Sequence, residues 1–277
     1  MKNPDKLNFL TAGMPLKTDP KDYQNAFNIL EDMNLDGLEV EFVHGVRLSE
    51  TSFQTLNKNS NKFLLTAHGP YYINLNAKEE EKVEASIKRI IDTAQVANSF
   101  GAYSITYHAA FYLGEDAKDV YKKVKERTDR ITKFLKSENN SITIRPETTG
   151  KPTQWGDLDE IIALSKDCEN VLPCVDFSHL HARSNGKFNT YDDFCKILEK
   201  IGNEIGQYAL DNFHGHLAGI AYSEKGEKHH LELDNSDMNY KELLKALKEF
   251  NVKGALVCES PNIEEDCDII KRYYESL

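Results

Sequence analysis

Short apolar runs of strand length alternate with longer stretches of helical period along almost the whole chain. The strand-like runs cover residues 7–12, 38–42, 63–68, 103–107, 141–144, 171–175, 213–220 and 254–258. Between them lie stretches with apolar side chains three and four apart. After Asp19-Pro20 come Tyr23, Phe27 and Leu30, and a weaker helix is expected over 51–57. The clearest stripe is Val83, Ile87, Ile90, Ile91, Ala94 and Ala97, stopped by Gly101. Further helices are expected over 115–136, 158–166, 190–201, 239–250 and 263–274. Eight strand-then-helix units with short connections predict a parallel sheet closed into a single (β/α)8 barrel over residues 1–277. An open doubly wound sheet is the alternative, but strand one is not followed by the glycine fingerprint expected of that fold.

In such a barrel the functional rim is the C-terminal end of the strands. Six strands deliver a metal-ligand type of side chain there: His68, His108, Glu147, Asp176, His216 and Glu259. His179 follows three residues after Asp176, and the loop after strand seven adds Glu227 and His229. On strand seven, alternation puts His214 and His216 on one face. His216 is preferred because it stands nearer the strand end, with His214 in reserve. Four carboxylates and five imidazoles packed at one rim without a cation would be costly to desolvate. At four or five ligands per ion, with shared carboxylates, they suit two or three ions. Mixed imidazole and carboxylate ligands favour zinc, with manganese or iron as substitutes. A cluster of that kind suits phosphodiester hydrolysis.

Composition narrows the setting. The net charge of −11 argues against a broad basic face for nucleic acid. The cations expected near the mouth are Arg145, Arg183, Lys187, Lys225 and Lys228. The five cysteines are odd in number and form no CxxC pair, as in a reduced cytoplasmic protein. No run approaches the ~20 apolar residues of a membrane span, and the N-terminus lacks a signal-peptide core.

With these residues in place, the chain resembles the endonuclease IV family of apurinic/apyrimidinic (AP) endonucleases, in its archaeal-type branch, within the xylose-isomerase-like barrels. The resemblance runs through TAGMPL, GLEVEFVHGV, AHGPYYINL, YHAA, RPETTGKPTQWG, VDFSHLHARSNG, GHLAGIAYSEKGEKHH and CESP, in order. It implies a three-zinc cluster on His68, His108, Glu147, Asp176, His179, His216, Glu227, His229 and Glu259. Glu147 would bridge two ions and help activate the attacking hydroxide, with Glu259 beside it. It also implies cleavage of double-stranded DNA 5′ to an abasic site; the protein itself is expected to be a monomer. Tyr71 and Tyr72 would enter the DNA there, and Arg183 and Lys228 would contact the backbone. The chain departs from the family in carrying Glu227 where aspartate is usual. The competing expectation on the same barrel is a sugar isomerase or epimerase with one divalent metal on Glu147, Asp176, a strand-seven histidine and Glu259.

Overall fold

The computed structural model describes residues 4–43 and 45–277. Its eight barrel strands are Leu7–Ala12, Gly37–Glu41, Leu64–His68, Ser104–Tyr107, Thr143–Pro146, Val175–Asp176, Phe213–Leu217 and Gly254–Cys258, here called strands one to eight. Strand one pairs in parallel with both strand two and strand eight, and the ladder continues from two to five and from eight back to six. Single bridges, Ile144 to Val171 and Glu147 to Cys174, join five to six and close the (β/α)8 barrel. Pro146 and Pro173 at this seam lack the N–H a continuous ladder needs, so strand six is shorter than the apolar run suggests.

The helices form where the periodicity places them, with their ends set by caps. Helix Tyr23–Asp32 begins later than Asp19-Pro20 implies, because the Asp22 side chain accepts from Asn25 N. Asp157 and Thr190 form capping boxes ahead of Leu158–Asp167 and Tyr191–Glu204. Helix Glu80–Phe100 stops at Gly101, whose φ of 88° is the left-handed cap only glycine adopts freely. The main apolar core lies between barrel and helices.

The barrel interior is divided. Leu10, Ala255 and Val257, with Ala12 and Leu64, form a small apolar cluster. The remaining inward positions are polar yet buried, among them Glu39, Thr66, Ser104, Arg145, Glu147, Asp176, His214 and His216. Arg145 does not lie at the mouth as the sequence suggested. It is 1% exposed and donates to the carbonyls of Pro173 and Asn212, which precede strands six and seven, so it fills the opposite end of the barrel. A cavity of about 720 Å³ at that same end, lined by Lys136, Cys168, Leu172 and Tyr208, shares no residue with the site described below.

Among the described residues, no helix is long and apolar enough to cross a membrane, and the five cysteines are unpaired.

Candidate metal centre

Strand ends aim the site's side chains inward and upward. His68 ends strand three, and Glu147 and His108 stand just past strands five and four. Glu147 Oε2 lies 3.1 Å from His68 Nε2 and 3.2 Å from His108 Nε2. Its other oxygen, Oε1, lies 3.4 Å from His216 Nδ1 and 3.2 Å from His179 Nδ1. One carboxylate thus presents its two oxygens to two separate groups of ligands.

Asp176 has a double role set by chain geometry. Strand six ends on it and helix Phe177–Arg183 begins after it, so Oδ1 accepts from His179 N at 2.7 Å as the helix cap. Oδ2 is buried without a hydrogen-bond partner. His179, one turn along, returns beneath it, with Nε2 at 3.6 Å from Glu227 Oε2. His216 Nδ1 is 3.3 Å from Glu259 Oε1.

Sorted by distance between potential ligand atoms, these residues form three linked groups: His68 with His108 and Glu147; Glu147 with Asp176, His216 and Glu259; and Asp176 with His179 and His230. Glu147 joins the first two groups and Asp176 the last two. In the middle group Glu147 Oε1, Asp176 Oδ2 and His216 Nδ1 are all buried with no hydrogen-bond partner. Orphaned buried acceptors converging on one point are what a cation would satisfy, so the residues fit divalent metal. Burial pushes the Asp176 carboxyl up to about 6 and that of Glu41, the last residue of strand two, up to about 8. Against the same burial, His108 and His216 hold the Glu147 carboxyl, and His216 that of Glu259, below the usual carboxylate range, so the cluster carries both protonated and ionised acids in one dry place.

Seven of the nine expected ligand positions, His68, His108, Glu147, Asp176, His179, His216 and Glu259, lie in these groups, and Glu227 lies beside the third. The ninth does not. His229 is exposed, and His230 takes the inward position, its ring 5.7 Å from that of His179. The cause is a β-bulge. Past strand seven the chain forms a hairpin, Gly219–Ser223 against Gly226–Leu231, in which Tyr222 pairs with Glu227 but Ala221 pairs with His229. Lys228 is the extra residue, so the face that carries Glu227 next carries His230. A plain alternation from Glu227 selects His229 and misses this. Of the strand-seven pair, His216 joins the three linked groups and His214 lies one layer deeper, with Nδ1 at 3.0 Å from Ser104 Oγ and in a further group of close ligand atoms with Cys174 and His216. Burial lowers His214 to about 4, which keeps it neutral.

The expected DNA contacts divide. Tyr71 and Tyr72 stand 65% and 66% exposed at the rim, the Tyr71 ring 6.4 Å from that of His68. Lys228 is exposed on the outside of the hairpin. Arg183 commits one nitrogen, Nη1, within the protein. Its guanidinium donates to the carbonyls of Lys151 and Gln154 and to Thr149 Oγ1, at 2.6, 3.0 and 3.0 Å. It pins the loop after strand five, whose Gly150 carbonyl accepts from Glu227 N at 2.9 Å.

Glu39 and Glu41 were not among the expected site residues, although both project inward beneath and beside the cluster. The signal was their strict alternation in a strand that, in a parallel sheet, should have been apolar throughout.

Comparison with known proteins agrees with this architecture. Residues 27–275 match the family model described as xylose isomerase-like TIM barrel. An uncharacterized protein of Methanocaldococcus jannaschii is 44% identical over 97% of both chains. The apurinic-apyrimidinic endonuclease 1 of Plasmodium falciparum is 23% identical over 79% of this chain and 37% of its own length. Among solved structures, a D-tagatose 3-epimerase-like protein superposes with a TM-score of 0.73 at 19% identity, covering 92% of this chain and 94% of its own. Endonuclease IV from Thermus thermophilus superposes with 0.70 at 18% identity, covering 96% of this chain and 100% of its own. These two structural likenesses carry the fold and leave the chemistry open between their two kinds of activity. By its matched sequence and its architecture, the chain belongs to the xylose isomerase-like TIM barrel family.

Proposed function

We propose that the chain is a multi-metal phosphodiesterase of the endonuclease IV kind, hydrolysing double-stranded DNA 5′ to an abasic site. The observation that carries this reading is the linkage of three ligand groups through two shared carboxylates, Glu147 and Asp176. A one-ion sugar isomerase needs only the middle group. It would leave His68, His108, His179 and His230 without a task.

In this reading His68, His108 and Glu147 hold one ion and Glu147, Asp176, His216 and Glu259 a second. Asp176, His179 and His230 hold a third, with Glu227 alongside. The mix of ligands fits zinc best, with manganese or iron as substitutes. Ions held there would supply Lewis acidity for the phosphodiester and lower the pKa of an attacking water. Glu147 and Glu259, both members of the middle group, would help take a proton from a water held there. Tyr71 and Tyr72 offer exposed rings for stacking beside an extruded sugar. With Nη1 of Arg183 bound to backbone carbonyls, most of the cationic contribution falls to Lys228 and neighbouring exposed lysines such as Lys225 and Lys187. The free cysteines fit a cytoplasmic setting.

The test is incubation of the purified protein with a duplex carrying one abasic site. Cleavage 5′ to the lesion, abolished by chelator and restored by zinc, is expected. Lesion-bearing duplex left uncut after long incubation with zinc-loaded protein would overturn the proposal. The second reading, a sugar epimerase, draws on the middle group's being a sufficient four-ligand site by itself. It requires one ion per chain and turnover of a ketose.

A further inference from the structure

Three histidines of the cluster share one arrangement. His68, His179 and His230 each turn Nδ1 toward a backbone carbonyl, of Gly69 at 2.7 Å, Thr148 at 2.9 Å and Glu259 at 3.2 Å. That contact fixes the tautomer and leaves Nε2 as the ligand atom.

His216 is reversed. Its Nδ1 faces Glu147 and Glu259, and its Nε2 lies 3.1 Å from Oε1 of Glu39. Glu39 is on strand two, across the barrel from strand seven, so the two meet in the interior. The approach is off the line of a well-formed hydrogen bond, and both atoms are buried without another partner. Glu39 is the carboxylate that faces this nitrogen, and Cys174 lies beside the same imidazole. The second oxygen of Glu39 accepts from Thr66 Oγ1 at 2.7 Å and lies 3.1 Å from His214 Nε2. Glu39, Thr66, Ser104, His214 and His216 are all 0% exposed. A carboxylate this deep is expensive to keep unless something fixes it there. Here Thr66 donates to one oxygen and the His214 ring lies against it, leaving the other oxygen aimed at His216.

We propose that Glu39 is a positioning residue of the metal centre. It anchors His216 through Nε2, so that Nδ1 is presented to the ion of the middle group, and Thr66, His214 and Ser104 hold Glu39 in that attitude. The proposal rests on the metal-centre reading but not on the substrate, since both candidate reactions use His216.

The experiment compares zinc binding in wild type and Glu39→Gln, which keeps the side chain's shape. Each protein is titrated against a chromophoric chelator, and its zinc is counted after dialysis. One ion in the variant should bind 10–100-fold more weakly, the usual effect of removing an outer-sphere partner, while the others keep wild-type affinity. Equal affinities for every ion would overturn the proposal and mark Glu39 as a structural tie between strands two and seven. Wild-type protein that binds no zinc overturns the metal-centre reading itself, before any variant is compared. If the variant does not fold, nitrogen-15 imidazole spectra of zinc-loaded wild type decide. Zinc on Nδ1 of His216 with the proton on Nε2 supports the proposal, and zinc on Nε2 overturns it.

Discussion

Replacing His230 with alanine should release one ion, and replacing His229 should release none. The bulge at Lys228 turns His230 toward Asp176 and His179 and leaves His229 on the outside of the hairpin. The third group then has His230, His179, Asp176 and the nearby Glu227 as its ligands. Structural zinc held by four protein ligands in zinc-finger peptides binds with ~10–16 kcal/mol, which sets the scale for this group. One ligand in four therefore carries roughly 2.5–4 kcal/mol, and at ~1.4 kcal/mol per tenfold its loss weakens that ion by about 10²–10³-fold. Competition against a graded set of chelators resolves a change of that size. His230→Ala should lose one ion on dialysis and keep the rest, and His229→Ala should give the wild-type curve. The reasoning is refuted if His229→Ala sheds the ion and His230→Ala keeps it, since the hairpin would then be paired without the bulge.

Glu147→Gln removes a carboxylate shared by two groups at nearly constant shape, and abasic-site cleavage should fall at least ~10²-fold with the fold intact; near-wild-type rates would make Glu147 a structural strand end. Tyr71→Ala with Tyr72→Ala removes two stacking surfaces worth on the order of 1–3 kcal/mol per base. The preference for abasic over intact duplex should narrow while bound zinc is unchanged, and an undiminished preference would assign both rings to packing. At Gly150 an added Cβ would stand 2.6 Å from Glu227 Cβ and 3.1 Å from His179 Cδ2. Gly150→Ala should therefore push the hairpin off the loop, costing ~1–3 kcal/mol and weakening the third ion, and a melting curve and zinc count equal to wild type would contradict the packing described.

The order of strands and helices was legible because period and caps are local properties. Val83 to Ala97 reads as a stripe whatever surrounds it, and Gly101 ends it for a reason of its own backbone. Most of the cluster was legible for a related reason. In a parallel barrel the last residue of each strand reaches the same rim, so His68, Glu147 and Glu259 needed no knowledge of tertiary contacts. What could not be read depends on partners distant in sequence. The Lys228 bulge exists only in the pairing of two strands, and without it His230 is indistinguishable from its neighbour. Arg183 reads as a free cation until the loop at 149–154 folds over it and supplies carbonyls. Arg145 reads as a rim residue until Asn212 and Pro173 are seen to collect it at the far end. Glu39 and Glu41 were visible as alternating acids in strand two, but only the closed barrel brings strand seven's histidines within reach of Glu39.

Crystals of zinc-loaded protein, measured at the zinc absorption edge, test the central claim most directly. The account predicts three anomalous peaks: one among His68, His108 and Glu147, one among Glu147, Asp176, His216 and Glu259, and one among Asp176, His179 and His230. A single peak, confined to the middle group with the outer histidines unligated, would contradict it and return the barrel to one-ion sugar chemistry.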